Sequence, residues 1–208
     1  MLSHCGHYVK LNFLIAYFWI FQIPGIDNNP ISDYTLFRLR SPISDCKEKT
    51  MNDEKTSTIR RFNRINDEIT FLYHRASTKL GFSDSELIIL YLLSSYDGEL
   101  TQSCVIDLTG MSKQTVNSSV RRMEQAGWVV LGERTNHRRV IRFTEAGEEL
   151  SREVIQPFME REESLFADWT TEEKETFLSL HMRYRDALRQ MVETLPDRRG
   201  KNLGEDHS

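Results

Sequence analysis

The sequence predicts a mainly α fold with a small β-hairpin wing, a winged helix-turn-helix set between N- and C-terminal dimerisation helices. Three observations carry this. Between residues 83 and 127, residues suited to capping helix starts alternate with glycines that end helices, which cuts the chain into short helical pieces. After Gly127 the apolar period shortens from three and four residues to two, and it lengthens again beyond Thr144. On both flanks lie long apolar stripes at helical spacing, more than one small winged unit could cover, so burial between two copies is the economical arrangement. Packing of these stripes within a single chain is the alternative.

From Arg60, the residues Phe62, Ile65, Ile69, Leu72, Ala76 and Leu80 recur every three or four positions with polar residues between them, as one buried helical stripe requires. Gly81 ends that helix. Ser83-Asp-Ser-Glu86 is a capping box, in which hydroxyl and carboxylate each accept from an orphaned amide, and Leu87, Ile88, Leu90, Tyr91 and Leu92 then make a deeply buried helix. Asp97-Gly98 stops it. Thr101 caps a short helix over 102–109 that closes at Gly110; Ser112 caps the next, over 113–125, which closes at Gly127. Two short helices about one glycine form a helix-turn-helix.

Residues 128–131 and 140–143 read as a two-stranded hairpin, with Ile141 and Phe143 on one side and the cationic Arg134-Thr-Asn-His-Arg-Arg139 at its tip. Thr144 caps a long helix bearing Ala146, Leu150, Val154, Phe158 and Leu165, which Pro157 should kink. Thr170-Thr-Glu-Glu173 is another capping box, and the final helix lines up Phe177, Leu180, Tyr184, Leu188, Met191 and Leu195 before Pro196. The domain plan is therefore an N-terminal extension over 1–50, a helical dimerisation region over 51–82 and 148–196, a winged helix-turn-helix over 83–147, and a polar tail over 197–208.

The extension has a different character, with Pro24, Pro30 and Pro42, two of the three cysteines, and no helical period after Pro24. Its run LNFLIAYFWIFQI, residues 11–23, is shorter than the roughly 17–25 residues a spanning helix needs. Only Lys10 supplies early positive charge, and Pro24-Gly25 closes the run, which argues against a signal peptide. The extension is expected to contribute little to function, with translation starting at Met51; a membrane tether through 11–23 is the rival. Cys5, Cys46 and Cys104 are odd in number without CxxC spacing, which excludes a disulfide framework or thiolate zinc site as the first reading and favours a reducing, cytoplasmic setting.

The net charge of −4 argues against nucleic acid as a partner, but it is an average. Residues 112–142 hold Lys113, Arg121, Arg122, Arg134, Arg138, Arg139 and Arg142 against Glu124 and Glu133, a local +5, which leaves −9 for the rest of the chain. That segregation puts positive charge on the one unit whose shape could enter a groove of double-stranded DNA. On the helix over 113–125, Val116, Val120 and Met123 face the core and leave Lys113, Gln114, Asn117, Ser118, Arg121 and Arg122 outward. Gln and Asn can bond adenine twice and Lys or Arg can bond guanine, while Ser112 and Thr115 suit phosphates or base edges near the helix start. Gln114, Asn117 and Arg121 are the expected base contacts. In the wing, Arg134, His137, Arg138 and Arg139 are the DNA candidates, with Arg138 and Arg139 suited to a narrow minor groove. A solvated polar face is the plainer reading, set aside because the preceding short helix, the carboxylate-free outer face and the cationic hairpin coincide.

On these features residues 51–196 resemble the MarR family of winged-helix transcription regulators. The resemblance is carried by the helix order, by Gly110-Met-Ser-Lys-Gln-Thr-Val-Asn117 opening a recognition helix, by Glu124-Gln-Ala-Gly127, and by the wing leading into Phe143-Thr-Glu-Ala-Gly147. It implies an obligate homodimer with interleaved terminal helices that binds a pseudo-palindromic operator, usually as a repressor released by small molecules. Two positions depart from the pattern. Asn136-His-Arg-Arg139 lacks the aspartate that members commonly carry before the wing arginines, and Thr109 stands before Gly110 where members often have an apolar residue.

Oxidation-sensing members of that family use a cysteine near the start of the first dimer helix, and residues 56–82 contain none; Cys104 reads as a structural thiol. His74, His137 and His181 lack ligand spacing, so neither a metal nor a cofactor is expected. No GxSxG, HExxH or P-loop sequence occurs, and catalysis is not expected. A crevice for a phenolic or other aromatic effector is expected between the winged unit and the dimer helices, walled by Phe71, Tyr73, Tyr91 and Trp128. A winged-helix module that binds protein rather than DNA is the second functional class.

Overall fold

The computed structural model describes residues 57–132 and 139–197. Most of the wing tip, including Arg134, His137 and Arg138, lies outside the described residues, as does the apolar run at 11–23. One compact unit extends through Phe158 and a second begins at Met159.

Helix α1, Thr58–Leu80, ends as its sequence requires: Gly81 adopts φ 84°, its amide donates to the Thr78 carbonyl, and the Phe82 amide donates to the Ser77 carbonyl at 2.9 Å. This paired closure satisfies carbonyls that the helix end would orphan. Phe62, Ile69, Ala76 and Leu80 are half-buried, but Ile65 and Leu72, expected in the same buried stripe, are exposed in the single chain. Helix α2, Asp84–Ser95, starts on the expected capping box, with the Ser83 amide donating to Glu86 Oε2 at 2.9 Å and the Glu86 amide donating to Ser83 Oγ at 3.4 Å. Every residue from Leu87 to Leu93 is buried, so α2 is the central helix of this unit, apolar all round.

Asp97 and Gly98, at φ 53° and 82°, turn the chain into β1, Glu99–Thr101. This strand corrects the expected two-stranded hairpin. It pairs antiparallel with β3, Val140–Phe143, which also pairs with β2, Val129–Leu131, giving the order β1-β3-β2. Three residues are too few to register a period of two, and the partner of β1 lies about forty residues away, so no local signal announces it. Leu100 and Leu131 both register on Ile141, which is wholly buried.

Between β1 and β2 lie α3, Gln102–Thr109, and α4, Lys113–Gln125, with the bounds and caps expected. Thr101 Oγ1 accepts from the Cys104 amide at 3.1 Å and Ser112 Oγ from the Thr115 amide at 3.0 Å. Between the two helices, Gly110 takes φ 70°. Thr109 is fully buried, and its hydroxyl donates to the Val105 carbonyl at 2.6 Å while accepting from the Met111 amide at 3.1 Å. A polar residue is accommodated at this apolar-looking position because both of its bonds close within the turn.

Thr144 caps α5, Glu145–Leu150, by accepting from the Gly147 amide. The expected break at Pro157 takes the form of a π turn over Ser151–Ile155, where the Gln156 amide donates to the Ser151 carbonyl five residues back, and α6, Gln156–Ser164, follows. The wide turn ends two residues before Pro157, which has no amide for a helical bond and whose ring crowds the preceding turn. Ser151 shares a hydrogen bond of 2.7 Å with Ser94 on α2, and Ile155 is wholly buried, so this stretch packs into the first unit.

In the second unit, α7, Thr171–Glu193, begins on the expected capping box at Thr170 and Glu173. The rings of Phe166, Trp169 and Phe177 meet one another edge to face or tilted, with centroids 5.1–5.9 Å apart. Further along α7, Leu180, Tyr184, Leu188 and Met191 are exposed. No described helix is long and apolar enough to cross a membrane.

Candidate nucleic-acid interface

Helix α4 divides as its sequence divides. Val116, Val120 and Met123 are wholly buried, and Ser119 lies between them with its hydroxyl 2.7 Å from that of Ser85 on α2. Lys113, Gln114, Ser118 and Arg121 are exposed, as is Ser112. The Ser112 and Thr115 hydroxyls sit 2.8 Å apart at the helix start, and the Ser118 hydroxyl donates to the Thr115 carbonyl. The first turn therefore presents hydroxyls and backbone amides together, chemistry suited to phosphate oxygens.

Two of the expected contacts also bond within the chain. Arg122 is exposed, as expected, but its Nε donates to Glu86 Oε1 on α2 at 2.7 Å and its Nη2 to Ser119 Oγ on α4 itself at 3.2 Å. The reason is that Glu86 is almost buried at the capping box, and a carboxylate there needs a cation. Burial pushes the Glu86 carboxyl up, but the Ser83 amide, the Arg122 guanidinium and the Ser83 hydroxyl outweigh it and hold the group below its ordinary value. Asn117, half-buried, accepts at Oδ1 from Gln102 Nε2 at 3.2 Å. Sequence reasoning gave Gln102 no role; the bond joins residues on separate helices, and no local pattern announces it.

In the sheet, Arg142 pairs with Glu99, its register partner across β1 and β3. Arg139 is exposed at the root of the wing, and its carbonyl accepts from the Gln102 amide at 2.9 Å. Of the local cations, Lys113, Arg121 and Arg139 are thus exposed without an ion pair among the described residues. Cys104 is half-buried, and burial followed by the nearby Asp107 carboxylate pushes its thiol above the ordinary value. No group of three His, Cys, Asp or Glu suited to a metal occurs among the described residues.

The expected effector residues occupy different settings. Phe71 is exposed on α1, Tyr73 is half-buried, Tyr91 is wholly buried on α2, and Trp128 meets Phe82 edge to face at 5.6 Å between centroids.

Residues 80–140, which span α2 to the root of the wing, match the family model described as MarR family. The chain is 27% identical over 121 residues to the uncharacterised HTH-type transcriptional regulator YwoH of Bacillus subtilis (strain 168), covering 56% of this chain and 88% of that one. In fold it is similar to NMB1585, a MarR family regulator from Neisseria meningitidis, with a TM-score of 0.59 at 15% identity over 66% of this chain and 98% of the other. It is also similar to MepR of S. aureus, solved as a complex with DNA, with a TM-score of 0.54 at 18% identity over 64% and 99%.

Proposed function

From the premise that this chain belongs to the MarR family of transcription regulators, we propose that it reads a pseudo-palindromic operator as a homodimer, acting as a repressor that a small molecule releases. The observation that carries the reading is the outer face of α4. It combines Gln114, Asn117, Ser118 and Arg121 with a hydroxyl-rich first turn and no carboxylate before Glu124 near its end, over a buried face that fixes which side is outward. These side chains supply the donors and acceptors that distinguish base pairs in a major groove, and Lys113 and Arg139 supply phosphate neutralisation. The MepR neighbour, solved with DNA, supports the same use of the fold.

Selection of the full-length chain on a random duplex pool at moderate and raised salt tests this. An enriched inverted repeat with half-sites about 34–36 Å apart is expected, since a two-fold dimer places its reading helices one turn of duplex apart. Binding without any enriched sequence, lost at raised salt, would leave phosphate attraction alone and overturn the reading.

Release by an aromatic effector is the finer part of the proposal, with Tyr73 and Trp128 as its candidate side chains because both are half-buried, where Tyr91 is wholly buried. Phenolic compounds titrated into the operator complex should displace the wild-type protein, and Tyr73→Ala should require more of them. Identical curves would remove Tyr73 from the site.

A further inference from the structure

We propose that Gln102 is a positioning residue for base readout, which fixes the carboxamide of Asn117 against the start of α3 and so determines which base edge Asn117 prefers. This rests on the reading of α4 as the helix that enters the DNA groove. Gln102 is the first residue of α3 and makes two bonds in two directions. Its main-chain amide donates to the Arg139 carbonyl at 2.9 Å, and its side-chain Nε2 donates to Asn117 Oδ1 at 3.2 Å. One residue therefore links both elements that the proposed function sets against DNA. Gln102 and Asn117 are each half-buried, so the side-chain bond is partly withdrawn from competing water.

The chemistry follows from the amide group. An unrestrained asparagine offers either its oxygen or its NH₂ to a duplex with little preference, because the two ends are nearly equal in size. In the arrangement shown Gln102 is the donor, so Oδ1 of Asn117 is held toward α3 and the planar amide carries Nδ2 on its other side; with both amides reversed the pair would present Oδ1 instead, and the wild-type base profile separates the two. A lone pair of Oδ1 remains, but the group best presented is a donor. Donors seek N7 and O6 of guanine, N7 of adenine and O4 of thymine, whereas an outward oxygen would seek the amino groups of adenine and cytosine. Glutamate at 102 has the shape of glutamine without the donor, and would draw Nδ2 of Asn117 inward and turn Oδ1 out.

The test is selection of wild-type, Asn117→Ala, Gln102→Ala and Gln102→Glu full-length chains on one random duplex pool, followed by competition binding on single-base variants of the recovered site. Asn117→Ala should erase the preference at one position of each half-site. Gln102→Ala should weaken the preference there by about tenfold, the scale of one good base contact, and leave the other positions unchanged. The salt slope should also stay unchanged in Gln102→Ala, because no phosphate contact is removed. Gln102→Glu should move the preference toward a base bearing an amino group. If Asn117→Ala flattens a position while both Gln102 variants keep it as in wild type, the proposal is overturned and the DNA-reading function stands. A uniform loss of affinity in Gln102→Ala with a lowered Tm and an unchanged base profile would reduce Gln102 to a structural role and overturn it as well. A wild-type chain that enriches no sequence would sink the proposed function and this inference with it.

Discussion

At the scale of single residues, charge location and charge availability separate. Arg122 has a position on α4 that helical spacing would send toward a duplex beside Arg121, yet its guanidinium closes on Glu86 and Ser119. Two measurements follow from that ion pair. Because the folded Glu86 carboxyl lies below its ordinary value, its contribution to stability is present above that value and is lost as pH falls through the folded one. Glu86→Gln should therefore cost about 1–2 kcal/mol of unfolding free energy near neutrality, and its deficit against wild type should shrink as pH falls below the ordinary glutamate range, followed by denaturant titration across pH. On DNA, the two possible roles of Arg122 give opposite signs. Were it a phosphate ligand, removing the Glu86 charge would free it and strengthen binding; as a clamp that orients α4, it predicts weaker binding by Glu86→Gln on the recovered operator. Cys104 allows a third check. Burial and Asp107 raise its thiol, so Cys104 should be alkylated at neutral pH more slowly in the folded than in the unfolded chain, and equal rates at that residue would overturn the reading of an inert thiol.

At the scale of elements, the sequence was legible wherever the determinant is local. Ser112 and Gly127 bound α4 because a hydroxyl acceptor and a residue tolerant of φ 78° are needed within a turn of its ends. Ser112→Ala should accordingly cost about 1 kcal/mol in thermal or denaturant unfolding. The same local logic gave the buried face of α4 and its outward Gln114 and Arg121. It failed where a partner is distant: β1 exists only because β3 pairs with it, and the Glu86–Arg122 and Gln102–Asn117 links join residues 36 and 15 positions apart. One signal for the first was present, since a capping-box glutamate ahead of a fully apolar helix must be nearly buried and needs a cation. For the second there was none. Gly147 combines both cases. The sequence marked it in the stretch after the wing, but only the packing gives its reason: Thr144 caps α5 while bonding the Gly127 carbonyl, which brings α5 so close to β2 that a Cβ at 147 would lie 1.9 Å from the Trp128 carbonyl oxygen. Gly147→Ala should destabilise by about 3 kcal/mol, since a rigid backbone atom and not a flexible side chain must move.

For the whole molecule, the question is what covers the apolar surface. In the first unit α1 exposes Ile59, Ile65, Phe71 and Leu72; in the second, α7 exposes Leu180, Met182, Tyr184, Leu188, Met191 and Val192. Contiguous apolar stripes of this size mark a surface that something covers. A second copy is the proposed occupant, and it would also let a domain with one proposed reading helix bind an inverted repeat, because two-fold symmetry turns two weak half-sites into one strong site. The variant that isolates this is Leu180→Asp with Leu188→Asp. Both side chains are exposed in the protomer, at 56% and 41%, so the substitutions remove little packing within it. Sedimentation should then report monomers in place of dimers, while the helical circular dichroism of the winged unit persists. Affinity for the full repeat should fall toward that for a single half-site, and the dependence of binding on salt should drop by about half, because one set of phosphate contacts is lost. A doubly substituted chain that still sediments as a dimer would place the interface elsewhere and leave the exposed stripe of α7 to another partner.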